Sequence, residues 1–387
     1  MGLITPNQPA KTIKFLFSPD LSRAKLIAVT RPSRHPARPA ALASALLDWF
    51  ETNARDLPWR RTSDPYAIWV SEIMLQQTQV KTVVPYWLRW MEALPTVEAL
   101  AAAPAALIHK LWEGLGYYSR VRNMQKAAQI IVSRHGGIFP EKFSDLLDLP
   151  GVGRYTAGAV GSIAFNQPLP ILDGNVVRVL TRLFCLEGDP AQAALRDSLW
   201  KMAAELVSAA ATTAWPRAAS HFNQALMELG ALICTPREAR CPACPLRGSC
   251  RAARDRRVAE FPQIPPRPKS TPRYFAAWVA VHRNKWLVRQ RPAGSVNAEL
   301  WEFPNIETMR PGARPPGAQA GEPLGRIKHS ITRYRITLDS FLLREKIDAP
   351  DGAVWLPLTQ VEQLAFTSAH RKILRQARDR LAASKPV

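Results

Sequence analysis

Residues 146–165 read LLDLPGVGRYTAGAVGSIAF, and this stretch decides the fold. A short apolar helix stops at Leu149-Pro150, Gly151 and Gly153 flank Val152, and a second helix opens near Tyr155. Glycine at both turn positions permits positive φ and a close backbone approach to a ligand. The amides that begin the second helix have no partner inside it and point outward, a ready site for an anion. Such a hairpin grips phosphate through the backbone, without reading base sequence. Taken alone, Pro-Gly-x-Gly also suits an ordinary turn between helices. The charge of the chain favours the phosphate grip: lysine and arginine exceed the acids by 21, and the isoelectric point is near 10.3. A surface this basic attracts polyanions, because each neutralised phosphate releases counterions.

Outward from the hairpin, residues 41–255 are helical in character. Apolar side chains recur at helix spacing in Leu42–Phe50, Tyr66–Thr78, Val83–Met91, Leu107–Leu111, Met124–Val132 and Val176–Phe184. Proline and glycine punctuate the joins, and strand-like alternation is almost absent. Residues 256–272 form a proline-rich basic linker. Residues 273–387 change to short β-rich runs at Tyr274–His282, Trp286–Gln290, Ile336–Leu343 and Ala353–Pro357, closed by a helix over Ser368–Ala383. The expected fold is an all-α region followed by an α+β domain.

Residues 1–40 differ from both. They hold seven lysines or arginines, six prolines and a single acid, Asp20, which reads as a disordered basic extension and also suits a transit peptide. No stretch approaches the roughly 18 apolar residues of a membrane span. Four of the five cysteines, Cys234, Cys241, Cys244 and Cys250, fall within 17 residues at the spacing C-x6-C-x2-C-x5-C. A secreted disulfide scaffold would spread its cysteines; one tight group in a long chain indicates a metal centre in a reducing compartment, here the cytoplasm. Ligand type alone leaves zinc and an iron–sulfur cluster both open. Arg247 and its neighbours Arg237, Arg240, Arg251 and Arg254 place cations beside the centre. Cys185, inside RLFCL, reads as a core residue rather than a fifth ligand.

Two carboxylates are candidates for chemistry, although Glu72 taken alone also suits the rim of an amphipathic helix and Asp173 an ordinary N-cap. Glu72 has Ile68, Trp69 and Leu75 as helical neighbours, an apolar setting that would raise its pKa and keep it protonated, as a general acid requires. Asp173 follows the apolar run Leu169–Leu172 and opens a helix, where amides and dipole favour the ionised form. One neutral and one charged carboxyl is the pairing used to cleave glycosidic bonds.

The ordered set EIMLQQTQV, GLGYYSR, LPGVGRYTAG, LDGNV and C-x6-C-x2-C-x5-C resembles the adenine DNA glycosylases of MutY type, in the helix-hairpin-helix, endonuclease III superfamily. The resemblance is close over residues 41–255. It implies one [4Fe-4S] cluster, and removal of adenine mispaired with 8-oxoguanine or guanine from duplex DNA by a monomer. It also implies roles by position: Glu72 protonates adenine, and Asp173 stabilises the oxocarbenium-like sugar with help from Tyr155 and Asn175. Gln77 and Tyr117 would enter the base stack, and Trp59, Arg60 and Glu228 would line the adenine pocket. Bifunctional relatives carry a lysine at position 155; Tyr155 has no amine, so a monofunctional enzyme is expected.

The C-terminal region resembles the family's Nudix-like domain, with Trp301-Glu302-Phe303-Pro304 as landmark. No Nudix box of clustered glutamates follows, so no pyrophosphohydrolase activity is expected. Where the family reads 8-oxoguanine with Phe-Ser-His, this chain has Ile331, Thr332 and Arg333; Thr332 keeps the hydroxyl, while the aromatic ring and imidazole are lost.

Overall fold

The computed structural model describes residues 38–266, 268–314, 321–331 and 333–383, which lie in one compact unit. The extension at 1–37 and Thr332 lie outside the described residues. Helices come first: α1 (Pro39–Asn53), α2 (Pro65–Leu75), α3 (Val80–Ala93), α4 (Val97–Ala102), α5 (Ala105–Leu111) and α6 (Ser119–His135). They continue with α7 (Phe143–Leu147), α8 (Arg154–Ile163), α9 (Gly174–Phe184), α10 (Ala193–Ala211), α11 (Ala218–Leu232) and the short α12 (Arg251–Arg254). No helix among the described residues is long and apolar enough to cross a membrane.

Local sequence explains the helix that matters most. Asp64 caps α2 by accepting from the amides of Tyr66 and Ala67, and Pro65 sits in the first turn, where its missing N–H costs nothing. The expected helix over Tyr66–Thr78 ends early, at Leu75, because Gln77 takes φ +57°. Tryptophans fix the packing around it. Trp87 Nε1 donates to the Ala67 carbonyl at 3.0 Å, Trp90 Nε1 donates to the Tyr66 hydroxyl at 3.0 Å, and Trp90 meets Trp112 edge-on at 5.7 Å. Long helices at 193–211 and 218–232, which sequence periodicity did not single out, close the core behind α1, α8 and α9.

Seven strands follow among the described residues: β1 (Thr271–His282), β2 (Lys285–Gln290), β3 (Trp301–Glu302), β4 (Asn305–Thr308), β5 (Glu322–Ile331), β6 (Tyr334–Leu343) and β7 (Ala353–Pro357). Their order is β3-β2-β1-β6-β5, with β4 also on β1 and β7 on β2. β1 and β6 run parallel, with Trp278 opposite Phe341, and the other pairs are antiparallel. β5 and β6 form a tight hairpin whose last pair is Ile331 with Tyr334. Two helices complete this part, α13 (Leu358–Val361) and α14 (Ser368–Ala383). Leu300 and Ala365 pack into the helical core, so the two parts share apolar surface.

Candidate active site and cysteine recess

The hairpin brings α8 against α2. Gly151 adopts φ +77°, and a side chain there would strike the Cβ of Asn123 at 2.7 Å. Gly153 corrects the sequence expectation of two left-handed glycines. Its φ is −96° in extended backbone, and nothing lies within 4 Å of where its Cβ would stand. It serves as the residue before α8, leaving the opening amides free of any side-chain cap.

Further along α8, a Cβ on Gly158 would meet the Pro170 carbonyl at 2.2 Å, and one on Gly161 would meet Leu169 at 2.4 Å. These glycines let the segment leading to Asp173 lie directly on the helix, the structural meaning of TAGAVG. Three groups then converge. Glu72 is 5% exposed, and the Tyr155 hydroxyl donates to its Oε2 at 2.7 Å while lying 3.3 Å from the Met227 sulfur. Burial pushes the Glu72 carboxyl up to about 7; the Tyr155 bond opposes this, the Asp173 charge adds to it and the Arg60 charge opposes it.

Asp173 caps α9, accepting from the Val176 amide at 2.7 Å and from Asn175 Nδ2 at 2.8 Å. The sequence reading expected helix amides and dipole alone to set its ionisation. In the structure burial raises its carboxyl above the ordinary range, against the pull of those hydrogen bonds and of Arg178. Asn175 is itself held: its Oδ1 accepts from Arg178 Nη2 at 2.8 Å, and the same guanidinium donates to the carbonyls of Gly230 and Cys234, each at 2.7 Å. Gly230 is required here, since a Cβ would lie 2.6 Å from that of Asn175.

The three expected pocket residues sit close by but not equivalently. Glu228 is buried and saturated. Arg55 donates through Nε and Nη2, each at 2.7 Å, and Arg60 through Nη2 at 2.9 Å. Burial alone would raise Glu228, but these hydrogen bonds overcome it and hold the carboxyl at about 2. Trp59 is buried with its ring edge-on to Trp87 at 6.0 Å. Arg55 was not anticipated; nothing in its spacing marks it as the partner of a residue 173 positions away.

Gln77 and Tyr117 are both exposed and both left-handed, at φ +57° and +47°. Non-glycine residues held there cost on the order of 1 kcal/mol or more, and surrounding structure must enforce them. Arg120 does so for both. Nη1 donates to the carbonyls of Ile73, Met74 and Gln76, and Nη2 to those of Leu115 and Gly116. One guanidinium thus staples the two turns together, a role the motif GLGYYSR contains but does not reveal.

The four cysteines line one recess with Arg182, Ile233 and Arg247, and no histidine or acid joins them. Among the described residues no three His, Cys, Asp or Glu side chains are grouped to hold a metal ion. Arg182 Nη1 donates to Cys234 Sγ at 3.4 Å and to the Thr235 carbonyl at 2.7 Å, tying α9 to this loop. Burial pushes the Cys244 thiol up to about 11, so a thiolate there needs a strong Lewis acid or cation. A donor set of four sulfurs with two arginines beside it fits an anionic thiolate cluster. Arg247 is exposed at the rim.

Comparison with known proteins agrees with this layout. Residues 70–205 match the model of the HhH-GPD superfamily base excision DNA repair proteins, and residues 276–376 that of the NUDIX domain. Adenine DNA glycosylase of Mus musculus is 34% identical, covering 88% of this chain and 78% of its own length. The Homo sapiens protein of the same name is 33% identical, covering 88% and 75%. A solved thermostable thymine-DNA glycosylase is 30% identical with a TM-score of 0.49, covering 56% of this chain and 97% of its own. The chain belongs to the adenine DNA glycosylase family, DNA N-glycosylases of the HhH-GPD superfamily.

Proposed function

We propose that this protein is a base-excision repair enzyme that flips adenine out of duplex DNA opposite 8-oxoguanine or guanine and hydrolyses its N-glycosidic bond. The observation that carries the reading is a buried Glu72, held near neutrality at about 7 and hydrogen-bonded by Tyr155 beside Asp173. Protonated Glu72 donates to adenine N7. The C1′–N9 bond then breaks with its electron pair leaving on the base. Asp173 faces the positive charge developing on the sugar, Asn175 orients it, and water completes the hydrolysis at C1′. Tyr155 supplies a hydroxyl and no amine, so no Schiff base forms and the enzyme is monofunctional.

Gln77 and Tyr117 fill the stack that the flipped base leaves, and α8's opening amides with Gly151 hold the backbone. Cys234, Cys241, Cys244 and Cys250 hold a [4Fe-4S] cluster, whose contribution is to shape the loop that presents Arg247 to DNA. The β5–β6 hairpin reads the partner base. The deciding experiment is excision of adenine opposite 8-oxoguanine, guanine and cytosine, followed by alkali. Strand breaks appearing only after alkali, no adduct trapped by borohydride, and no excision by Glu72→Gln are expected. Breaks without alkali, or full turnover by that variant, overturn the reading.

A further inference from the structure

The corner between α5 and the loop bearing Tyr117 holds a buried acid that the glycosylase chemistry does not use. Glu113 is 6% exposed. Its Oε1 accepts from the Phe366 amide at 2.8 Å, and its carboxylate pairs with Arg371 and, at 3.2 Å, with Lys110. Lys110 in turn donates to the Glu362 carbonyl at 2.7 Å and the Leu364 carbonyl at 3.0 Å. Glu362, Leu364, Phe366 and Arg371 belong to the C-terminal part, so one buried carboxylate organises a charged contact across the interface.

The backbone of Glu113 faces the other way. Its carbonyl accepts from the Tyr86 hydroxyl at 2.7 Å, and the next amide, Gly114, donates to the Tyr118 hydroxyl at 3.2 Å. Trp112 Nε1 closes the same loop on the Gly116 carbonyl at 3.0 Å, directly before Tyr117. The far end of the contact is equally rigid. Trp301 donates its amide to the Ala365 carbonyl at 2.8 Å and accepts from the Thr367 amide at 3.1 Å, with Phe366 packed on Phe303. A shift of the C-terminal part therefore reaches the Tyr117 loop through Glu113. The low dielectric around these buried hydrogen bonds and charge pairs strengthens them, which makes that transmission stiff.

We propose that Glu113 is a positioning residue that seats the C-terminal part on the Tyr117 loop and couples recognition of the partner base to the stack-filling tyrosine. The coupling rests on the reading above, in which the C-terminal part recognises 8-oxoguanine. The test uses the full chain with Glu113→Gln, and separately Arg371→Gln and Arg371→Lys. It measures single-turnover excision opposite 8-oxoguanine and opposite guanine, together with amide exchange over residues 112–118.

Glu113→Gln is expected to reduce the 8-oxoguanine preference on the order of tenfold, with the rate opposite guanine within about twofold. Exchange around Tyr117 should quicken. Arg371→Gln, on the solvent side of the contact, should reproduce both effects even if the Glu113 variant fails to fold, and Arg371→Lys should keep the wild-type preference and exchange. An unchanged preference, or equal losses on both substrates with unchanged exchange at 112–118, overturns the proposal. Equal wild-type rates opposite the two bases would remove the underlying reading, and the coupling with it, before any substitution is made.

Discussion

The Tyr155 hydroxyl donates to Glu72 Oε2 at 2.7 Å, and this bond favours the charged form of an acid that burial otherwise holds neutral. The two influences leave Glu72 at about 7, where it both holds and releases a proton at working pH.

Tyr155→Phe deletes the bond that draws the Glu72 carboxyl downward, so that carboxyl should rise further. An acid catalyst loses activity as pH climbs through its pKa, and the alkaline limb of the single-turnover profile should move up by roughly one pH unit. The plateau should also fall, because the carboxyl is less well oriented. A limb that stays in place, or moves down, contradicts the assignment.

Glu72→Gln should trade activity for stability. For a carboxyl raised from 4.5 to about 7, native stability is full below 4.5 and is lost as pH rises to about 7. The neutral amide escapes that loss. Denaturant unfolding at pH 8 should show the variant more stable by up to about 3 kcal/mol, with the gap closing toward pH 4.5.

Glu228→Gln should do the reverse. Its carboxyl sits at about 2, so the stability it contributes is present above 4.5 and lost as pH falls through that window toward 2. Removing the charge leaves Arg55 and Arg60 partly buried without a counter-ion, costing about 3 kcal/mol at neutral pH. Unfolding curves of wild type and variant should converge as the solution is acidified. A pH-independent difference would mean that charge is not the cause.

The two hairpin glycines should respond differently to alanine. Gly151→Ala forces a side chain into a left-handed backbone and against Asn123, and should cost about 1–3 kcal/mol together with weakened binding to undamaged duplex. Gly153→Ala meets open space at a φ that alanine adopts freely, so stability should hold. Paired thermal melts and duplex titrations distinguish them; equal effects would show that the hairpin backbone is not the constraint.

Much of this candidate site is legible in the sequence. Glu72, Tyr155, Asp173 and Asn175 stand in short motifs; periodicity placed the helices of Glu72 and of Asp173 and Asn175, and the glycine turn placed that of Tyr155. What escaped was long-range. Arg55 finds Glu228 across 173 residues, Arg120 gathers five carbonyls from two turns, and Arg178 joins Asn175 to the cysteine loop. An arginine's partners are set by where chains cross, and no local pattern records that. The two longest unanticipated helices, α10 and α11, carry alanine-rich turns whose apolar stripe is diluted by small side chains.

By itself the sequence determined the local conformations: the cap at Asp64, the hairpin that only glycine at 151 permits, the cysteine spacing and the missing amine at position 155. Those follow from sterics and donor chemistry within a few residues. The tertiary structure decided how far each ionisation of the site is shifted. Whether Glu72 is neutral, Glu228 charged or Asp173 displaced from its ordinary range depends on how much water is excluded and which dipoles are brought within about 3 Å, and both are set only when separate segments pack.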